Sequence, residues 1–351
     1  MILDDFRAYP IIRRRFMTYA RGVQDIPPGA DREKLFWDYL RVRRRNAEKR
    51  VSMSEYMIFG FYALPLREQK RFLTDAEATR LMRLCNAESE PYLKNKVCFL
   101  RTFSRYAARD WLYLPESTEE AFRAFVSAHG TVALKPAASS WGIGFRKLSV
   151  EELAREEGLF ERLAGEDYLA EEYLVADDSL ARYHPDSLNT VRIITMRSDE
   201  RFAVLGAGLR TGNNGLPVDN AHGGGIFCEI DPQTGVIQTD GLDEYGNHYT
   251  AHPMTGIAFR GEQIPRWSEM LDLCRSASMT LPFLHVVGWD VTILRDGRLE
   301  LIEGNHNPGM NIVQAPAKRG IFDHFTAMME DYYGISAEEA KSGPRKEERG
   351  K

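Results

Sequence analysis

The sequence predicts an α+β protein whose β-sheets are largely antiparallel. From Thr131 onward, short apolar segments alternate with turn signals such as "RSDER", "DPQTG" and "RDGR", a pattern typical of strands joined by hairpins. Helical patterns are interleaved with these segments, and residues 1–85 show helical patterns only. The predicted strands are "TVALKP", "GFRKL", "YLAEEYL", "TVRIITM", "FAVLGAGLR", "GGIFCEI", "VVGWDVTIL" and "LELIEG".

The predicted helices are recognised by their caps and apolar stripes. Asp31 is the expected cap of "REKLFWDYLRVRRR", and Thr74 or Asp75 is the expected cap of "AEATRLMRLC". A Ser/Thr cap and a final glycine bound "STEEAFRAFVSAHG". Two further helical patterns are "PRWSEMLDLCRSASM" and "GIFDHFTAMMEDYYG".

Composition narrows the class of protein. The 351 residues exceed one typical compact core, so two or three subdomains are expected. A net charge of −5 argues against nucleic acid as the main partner. No apolar run approaches the roughly 18 residues of a membrane span, and the N-terminal segment lacks a secretory pattern. Four cysteines without disulfide or metal-ligand spacing predict reduced thiols and a cytoplasmic location: Cys85, Cys98, Cys228 and Cys274.

A basic cluster follows the first strong helical pattern and has two interpretations. It is either the solvated face of a helix or a landing site for an anionic substrate or polymer. Its members are Arg41, Arg43, Arg44, Arg45, Lys49 and Arg50.

Residues 286–309 contain the most informative pattern. Two apolar runs flank Asp296 and Gly297, and an Asp-Gly pair is a strong signal for a two-residue hairpin turn. Counting outwards from that turn places Asp290 opposite Glu303, with Cβ atoms about 5 Å apart. The same count pairs Arg295 with Arg298, Leu294 with Leu299, and Thr292 with Leu301.

Two directly opposed carboxylates repel each other, so this pairing needs a cause. A cation between Asp290 and Glu303 would make it favourable, and removing one acid would relieve the repulsion in the unligated protein. Asn305 shares the face of Glu303 because it lies two residues further along the strand. Oxygen ligands without His or Cys suit Mg²⁺. We therefore expect a magnesium site here; a solvent-exposed face with incidental charges is the alternative.

A second polar region surrounds "TVALKPAASSWGIGFRKL". Lys135 ends a predicted strand, and a loop of small residues with Gly142 and Gly144 follows it. Such a loop can bring backbone N–H groups and the hydroxyls of Ser139 and Ser140 close to phosphates. It is not a P-loop, since the Gly-Lys-Ser/Thr ending is missing. An ordinary flexible hairpin is the alternative.

Further polar residues lie near the ends of predicted strands. Glu171 and Glu172 point to opposite faces of their strand. Arg192 and Arg210 each lie in an apolar strand, and their proximity to a triple glycine favours anion recognition over simple surface pairing. The same regions also supply Asn189, Asp219 and Asn220.

In this order, the polar positions resemble those of an ATP-grasp enzyme. The segments "HPDSLNTVRIIT", "LPVDNAHGGGI", "HPMTG" and "GWDVTIL…LIEGNHNPG" are similar to those of the sugar-transfer-associated ATP-grasp family. The resemblance covers the chain from about Tyr56 to Tyr333, and the combination of motifs is specific although no single motif is. It implies an ATP-grasp fold, in which two α+β subdomains with antiparallel sheets hold ATP between them.

The resemblance also implies a role for each matching residue. Lys96 and Lys135 would contact the phosphates of ATP. The adenosine would be held by Glu171, Glu172, Tyr173 and Leu174 at the adenine and by Asp178 at the ribose. Two Mg²⁺ ions, with Mn²⁺ as an alternative, would be bound by Asp290, Glu303 and Asn305. The acyl phosphate and the tetrahedral intermediate would be stabilised by Arg192, Arg210 and Asn220.

Four parts of the chain are expected. They are a helical region (1–85), a first ATP-grasp part with the lid hairpin (86–175), a second part with the metal and acceptor sites (176–335) and a polar tail (336–351). The expected function is an ADP-forming ligase that joins a small-molecule carboxylate to an amine or thiol through an acyl phosphate. A phosphotransferase and a catalytically weak nucleotide-binding module are the alternatives. A sugar or polysaccharide linkage of the substrates and a homodimer are left open.

Overall fold

Antiparallel strands form the framework of the protein in a computed structural model, which describes residues 2–26, 29–139, 142–213 and 224–342. The strands are β1 (Trp111–Tyr113), β2 (Thr131–Pro136), β3 (Arg146–Ser149), β4 (Tyr168–Glu172), β5 (Thr190–Arg197), β6 (Phe202–Thr211), β7 (Ile226–Ile230), β8 (Gly241–Leu242), β9 (His248–Tyr249), β10 (Val286–Ile293) and β11 (Leu299–Asn305). A small sheet has the order β1-β4-β2-β3, and a large sheet has the order β11-β10-β5-β6-β7-β8-β9. All eight predicted strands are confirmed, whereas β1, β8 and β9 were not predicted.

Helices cover both sheets. They are α1 (Ile2–Tyr19), α2 (Arg32–Arg45), α3 (Met53–Ile58), α4 (Leu66–Gln69), α5 (Asp75–Cys85), α6 (Glu90–Lys94), α7 (Lys96–Thr102), α8 (Glu119–His129), α9 (Val150–Leu153), α10 (Leu159–Gly165), α11 (Asp178–Ala181), α12 (Trp267–Ser278), α13 (Phe322–Tyr333) and α14 (Ala337–Ser342). In the described ranges, none of them combines the length and hydropathy that a membrane span requires. The last helix, α14, lies within the predicted polar tail.

The predicted helix caps are confirmed. The Asp31 carboxylate accepts a backbone N–H at the start of α2. Thr74, rather than Asp75, caps α5, where Thr74 and Glu77 form a reciprocal capping box. The Thr118 hydroxyl caps α8 by accepting the backbone N–H of Ala121. Each cap satisfies backbone N–H groups that the first helical turn leaves without partners.

Alternation along β5 separates the two faces of the large sheet. Val191 and Ile193 point to one face and join a buried core with α7, α11 and α12. Ile194 and Met196 point to the other face and join a core with α1, α2, α3, α5 and α13. The helical N-terminal region therefore shares its core with the large sheet, on the face that also carries Arg192.

The small sheet has one apolar and one polar face. Val132 and Leu134 pack with α8, α9 and α10 in a third core. Ala133 and Lys135 point away from that core, and Ala133 pairs with Glu171 across β2 and β4. Lys135 and Glu171 therefore share the face that is turned away from the helices of the small sheet.

One residue of the basic cluster is not solvated. Lys49 is 3% exposed, and its ammonium group donates to both carboxylate oxygens of Glu77 and to the carbonyl of Phe72. It also lies 4.4 Å from the ring centroid of Phe322. The surface interpretation is therefore wrong for Lys49, because the chain leaves α2 before this position. The other members are exposed, as expected for a solvated face: Arg41, Arg43, Arg44, Arg45 and Arg50.

The turn between β10 and β11 differs from the predicted one. The N–H of Leu294 donates to the carbonyl of Arg298 at 2.8 Å, so Leu294 pairs with Arg298 rather than Leu299. The loop has three residues and ends at Gly297, whose φ of 85° lies in the left-handed region. The predicted two-residue turn is therefore wrong by one residue. Thr292 consequently faces Glu300 rather than Leu301.

A bulge restores the predicted pairing further along the hairpin. Asp290 faces Glu303 and Val291 faces Leu301, so Ile302 has no opposite residue on β10. The bulge lets Leu301 point into the core with Val291 while Glu303 points to the other face. The pairing of Asp290 with Glu303 is confirmed, through two compensating one-residue shifts.

The chain after β11 crosses the large sheet on the face that carries Asp290. An added Cβ at Gly288 would lie 2.8 Å from Pro308, and one at Gly208 would lie 2.5 Å from Ile312. Glycine is needed at both positions for this close approach. The crossing segment therefore covers the sheet immediately beside the predicted metal site.

Candidate active site

Asp290 is held by two arginines at the centre of the large sheet. The Arg192 guanidinium donates to both carboxylate oxygens, at 2.7 and 2.6 Å, and Arg210 Nη1 donates to Oδ2 at 2.6 Å. Asp290 pairs with Arg192 across β10 and β5, and Arg210 reaches in from β6. Burial raises the pKa of Asp290, but the charges of Arg192 and Arg210 outweigh burial and lower it to about 2. Asp290 is therefore fully ionised at neutral pH.

Glu303 has a different environment from the carboxylate that it faces. Its side chain is 48% exposed, and Arg192 Nη2 lies 3.6 Å from its Oε1. The surrounding protein atoms, and next the charge of Asp290, raise the pKa of Glu303. Asn305 Nδ2 donates to Glu303 Oε1 at 3.2 Å. Glu303 thus presents a carboxylate to the cleft with less compensating positive charge than Asp290 has.

In this structure, Arg192 and Arg210 offset the charge repulsion that was expected between Asp290 and Glu303. The side chains of Asp290, Glu303 and Asn305 still supply a set of oxygen atoms suited to a hard cation. Among the residues that the structure describes, no group of three or more His, Cys, Asp or Glu side chains is arranged to hold a metal ion. A cation at this site would therefore have two carboxylates, and it would share Asp290 with Arg192 and Arg210.

Two lysines lie near the end of β2. Lys135 Nζ donates to Glu171 Oε2 on the polar face of that sheet. Lys96, the first residue of α7, donates to the carbonyl of Pro136 at 3.1 Å and to the hydroxyl of Ser139 at 3.2 Å. Burial lowers the pKa of Lys96, and the charge of Glu303 opposes this effect. Arg109, which contacts Glu171 on the small sheet and the carbonyl of Ile302 on the large sheet, joins the two sheets beside these groups.

The predicted adenine segment is divided between the two faces of β4. Glu171 is 1% exposed and pairs with Lys135 and Arg109. Burial raises the pKa of Glu171, but the charges of Arg109 and Lys135 lower it to about 2. Glu172 is half-buried, and Glu172 and Asp110 exchange hydrogen bonds where β4 ends. The carboxylate of Glu171 is thus engaged with cations rather than open to an adenine.

The remaining nucleotide-side predictions lie around β4 and the loop between β2 and β3. Lys147 Nζ lies 4.3 Å from the ring centroid of Tyr173. Leu174 is half-buried, and Asp178 is an exposed residue at the start of α11. Gly142 and Gly144 have φ angles of 72° and 78°. These glycines permit a left-handed backbone in the loop between β2 and β3.

A model of the sugar-transfer associated ATP-grasp family matches residues 147–330, just over half of the chain. The chain belongs to this family. The expectation of an ATP-grasp fold is therefore confirmed, and the small and large sheets are its two antiparallel sheets. No curated protein matches the sequence.

Solved structures similar to this ATP-grasp chain share little sequence with it. The ATP-grasp ligase PsnB complexed with a minimal precursor is 16% identical, with a TM-score of 0.45 and coverage of 71% of this chain and 64% of that chain. D-alanyl-alanine synthetase A from Vibrio cholerae O1 biovar eltor is 12% identical, with a TM-score of 0.43 and coverage of 74% and 67%. N5-carboxyaminoimidazole ribonucleotide synthetase with ADP is 9% identical, with a TM-score of 0.42 and coverage of 71% and 52%. The chain thus spans less than two thirds of the PsnB structure.

Three residues predicted to be near the candidate site cannot be placed in the structure. Ser140, Asp219 and Asn220 lie outside the described residues. Asn189, by contrast, is buried, and its side chain donates to the carbonyls of Leu180 and His184. Asn189 therefore fixes the segment that leads into β5.

Sequence reasoning missed two charged residues beside the ATP-grasp site. Arg109 is 4% exposed and Glu300 is 0% exposed, and Arg109 Nη1 donates to Glu300 Oε1 at 2.8 Å. The only signal in the sequence was a carboxylate inside the apolar run "LELI". That signal indicates a partner for Glu300 but does not identify Arg109, which lies 191 positions away.

Proposed function

We propose that this protein is an ATP- and Mg²⁺-dependent ligase that activates a carboxylate as an acyl phosphate and transfers the acyl group to an amine or thiol. One observation carries the proposal: Asp290 faces Glu303 across β10 and β11, with Arg192 and Arg210 on Asp290. This arrangement combines oxygen donors for a cation with fixed positive charge for an anion. Membership of the ATP-grasp family supports ATP-dependent ligation in general.

The oxygen donors of the cleft fit magnesium. In the proposal, Asp290, Glu303 and Asn305 would hold two Mg²⁺ ions, and Mn²⁺ could replace Mg²⁺. The bound ions would neutralise charge on the phosphates of ATP. Arg192 and Arg210 already neutralise Asp290.

The small sheet supplies the proposed phosphate and adenosine contacts. Lys135 and Lys96 would bind phosphate oxygens, each with an N–H group redirected from its present acceptor. Ser139, Ser140, Gly142 and Gly144 would close the lid over the phosphates. Glu172, Tyr173 and Leu174 would contact the adenine, and Asp178 the ribose. Glu171 keeps its predicted place beside the nucleotide, but we assign it the task of orienting Lys135.

The chemistry follows from fixed positive charge at the point where negative charge develops. A carboxylate oxygen of the substrate attacks the γ-phosphorus of ATP, and the bond from that phosphorus to the β-phosphate oxygen breaks to release ADP. The amine then attacks the acyl carbon, loses a proton, and phosphate leaves with the C–O bonding pair. Arg192 and Arg210, with Asn220 as the third proposed donor, stabilise the negative charge on oxygen in both steps.

An acyl phosphate can be intercepted, and this gives the test. We expect incubation of the protein with ATP, Mg²⁺, hydroxylamine and a panel of amino acids, uronic acids and peptides to yield a hydroxamate and ADP without an added amine. Arg210→Ala should reduce the hydroxamate yield far more than it weakens ATP binding, because Arg210 acts after the nucleotide is bound.

The control is an arginine that pairs with an acid away from the cleft. Arg201→Ala removes an exposed ion pair with Asp331 and should leave the hydroxamate yield unchanged. Formation of ADP together with a phosphorylated hydroxyl product that resists hydroxylamine would show a phosphotransferase instead. Equal losses of yield in the two variants would contradict the role of Arg210.

A further inference from the structure

Arg109 joins the two sheets of the ATP-grasp fold at the cleft. We propose that Arg109 is a positioning residue, which sets the Asp290–Glu303 pair on one sheet and orients Lys135 on the other. The inference rests on the proposed function, because Arg109 acts on residues that are there proposed to bind the metal ions and the phosphates of ATP. The evidence is the set of groups that one guanidinium contacts.

On the large sheet, Arg109 holds the bulge of β11. Nη1 donates to the carbonyl of Leu301 and Nη2 donates to the carbonyl of Ile302, both at 2.9 Å. Ile302 is the residue without an opposite partner on β10. The β-ladder leaves these carbonyls at the outer edge of the sheet, since β11 is an edge strand. Arg109 therefore supplies the donors that stabilise the bulge.

The bulge decides which side chains face the cleft. In a regular strand, residues two apart share a face, so Leu301 and Glu303 would point the same way. With Ile302 as an extra residue, Leu301 is buried in the core and Glu303 faces Asp290. A strand without the bulge would bury Glu303 or expose Leu301. The position of the proposed metal ligand thus depends on a bulge that Arg109 holds.

On the small sheet, Arg109 acts through Glu171. Arg109 Nε and Nη2 lie 3.4 and 3.5 Å from Glu171 Oε1, and the other carboxylate oxygen accepts from Lys135. Glu171 therefore receives one cation on each oxygen. Because Arg109 keeps Oε1 occupied, Lys135 is confined to Oε2, on the polar face of the small sheet.

Glu300 fixes Arg109 in turn. Its Oε1 accepts from Arg109 Nη1 at 2.8 Å, and its carboxylate also accepts the backbone N–H groups of Ala108 and Arg109. The cluster of Arg109, Lys135, Glu171 and Glu300 contains two positive and two negative charges. A planar guanidinium can reach four acceptors at once, whereas the ammonium of a lysine cannot.

The test compares two variants of Arg109 with a matched buried arginine. Arg197 is 5% exposed and donates to the carbonyls of Leu281, Pro282 and Leu284, at the far end of β5. The variants are Arg109→Lys, Arg109→Met and Arg197→Lys. The measurement is ATP affinity by calorimetry across a series of Mg²⁺ concentrations, below the melting temperature of each variant.

We expect both Arg109 variants to raise the Mg²⁺ concentration for half-maximal ATP binding by about 10- to 100-fold, the usual range for partners that orient metal ligands. The Arg197→Lys variant should leave that concentration unchanged even if it lowers the melting temperature equally. Folded Arg109 variants with the wild-type Mg²⁺ dependence would overturn the inference. An equal shift in Arg197→Lys would overturn it as well.

A crystal structure of Arg109→Met separates this inference from the proposed function. We expect the bulge at Ile302 to be lost and Asp290 no longer to face Glu303. A retained bulge, with Lys135 still on Glu171, would overturn the inference whatever the ligand binding. Wild-type protein that binds ATP equally with and without Mg²⁺ would instead overturn the proposed function and leave the crystal structure to decide the role of Arg109.

If neither Arg109 variant folds, Glu300→Gln loosens the same arginine, and wild-type Mg²⁺ dependence in that variant would overturn the inference.

Discussion

Replacing Asp290 by Asn in the unligated protein is expected to lower the free energy of unfolding. Asp290 is 2% exposed, and Arg192 and Arg210 together occupy both of its carboxylate oxygens. An amide keeps the size of the side chain but removes its charge. It therefore removes the negative charge that both guanidinium groups contact in the wild-type protein, where their side chains are 14% and 13% exposed.

The magnitude follows from the pKa of Asp290. Burial raises this pKa, but Arg192 and Arg210 lower it from 3.8 to about 2. Since the folded-state pKa lies below the unfolded value, the charge contributes stability above pH 3.8, and the contribution is lost as the pH falls through about 2. This lowering of the pKa corresponds to about 2 kcal/mol of stabilisation at neutral pH. At about pH 3, about half of that stabilisation should remain.

Urea unfolding of both proteins, without nucleotide or divalent cations, measures the difference at each pH. Glu303→Gln is the matched control, because the protein atoms around Glu303 and next the charge of Asp290 raise its pKa. When the folded-state pKa of a carboxyl lies above its unfolded-state pKa, the protein loses stability as the pH rises from the unfolded-state value through the folded-state value. The Gln variant should therefore be more stable than wild type at neutral pH.

Two results would refute the reasoning. One is wild-type stability of Asp290→Asn at neutral pH, and the other is a shift of both variants in the same direction. The sequence alone predicted relief of repulsion on removal of either acid. The structure limits that expectation to Glu303, because the arginines compensate Asp290.

Two further predictions concern the ligands. Lys135→Met should weaken ATP binding by about 1–3 kcal/mol, the scale of a charge-assisted hydrogen bond, when measured by calorimetry. An unchanged affinity would contradict a phosphate contact. Asp290→Ala and Glu303→Ala should each abolish Mg²⁺-dependent ATP turnover in a coupled ADP assay, since each removes a proposed ligand. Near-normal turnover in both would exclude the metal assignment.

Features that depend on neighbouring residues were predictable. Thr74 and Glu77 form a capping box because they lie three residues apart, which a sequence shows directly. The strand β2 begins and ends where "TVALKP" does, because a short apolar run and Pro136 define it locally. The pairing of Asp290 with Glu303 was also predictable, because a hairpin relates the two strands by counting.

The turn shows the limit of such counting. The Asp-Gly signal identified the hairpin, but the loop has three residues rather than two. The predicted pairing of Asp290 with Glu303 is nevertheless correct, because the bulge at Ile302 compensates for the additional residue in the loop. Nothing near Ile302 in the sequence indicates a bulge, since its carbonyl is satisfied by a side chain almost 200 positions away.

By itself, the sequence determined the classes of secondary structure, the acidic pair and the resemblance to the ATP-grasp family. These depend on patterns within a few residues, or on motifs in a fixed order. Only the tertiary structure placed Arg192 and Arg210 on Asp290, joined Arg109 to Glu171 and Glu300, and buried Lys49 against Glu77. The reason is physical: a buried charge takes its partner from whichever segment the fold brings within hydrogen-bond distance, and burial makes that partner necessary.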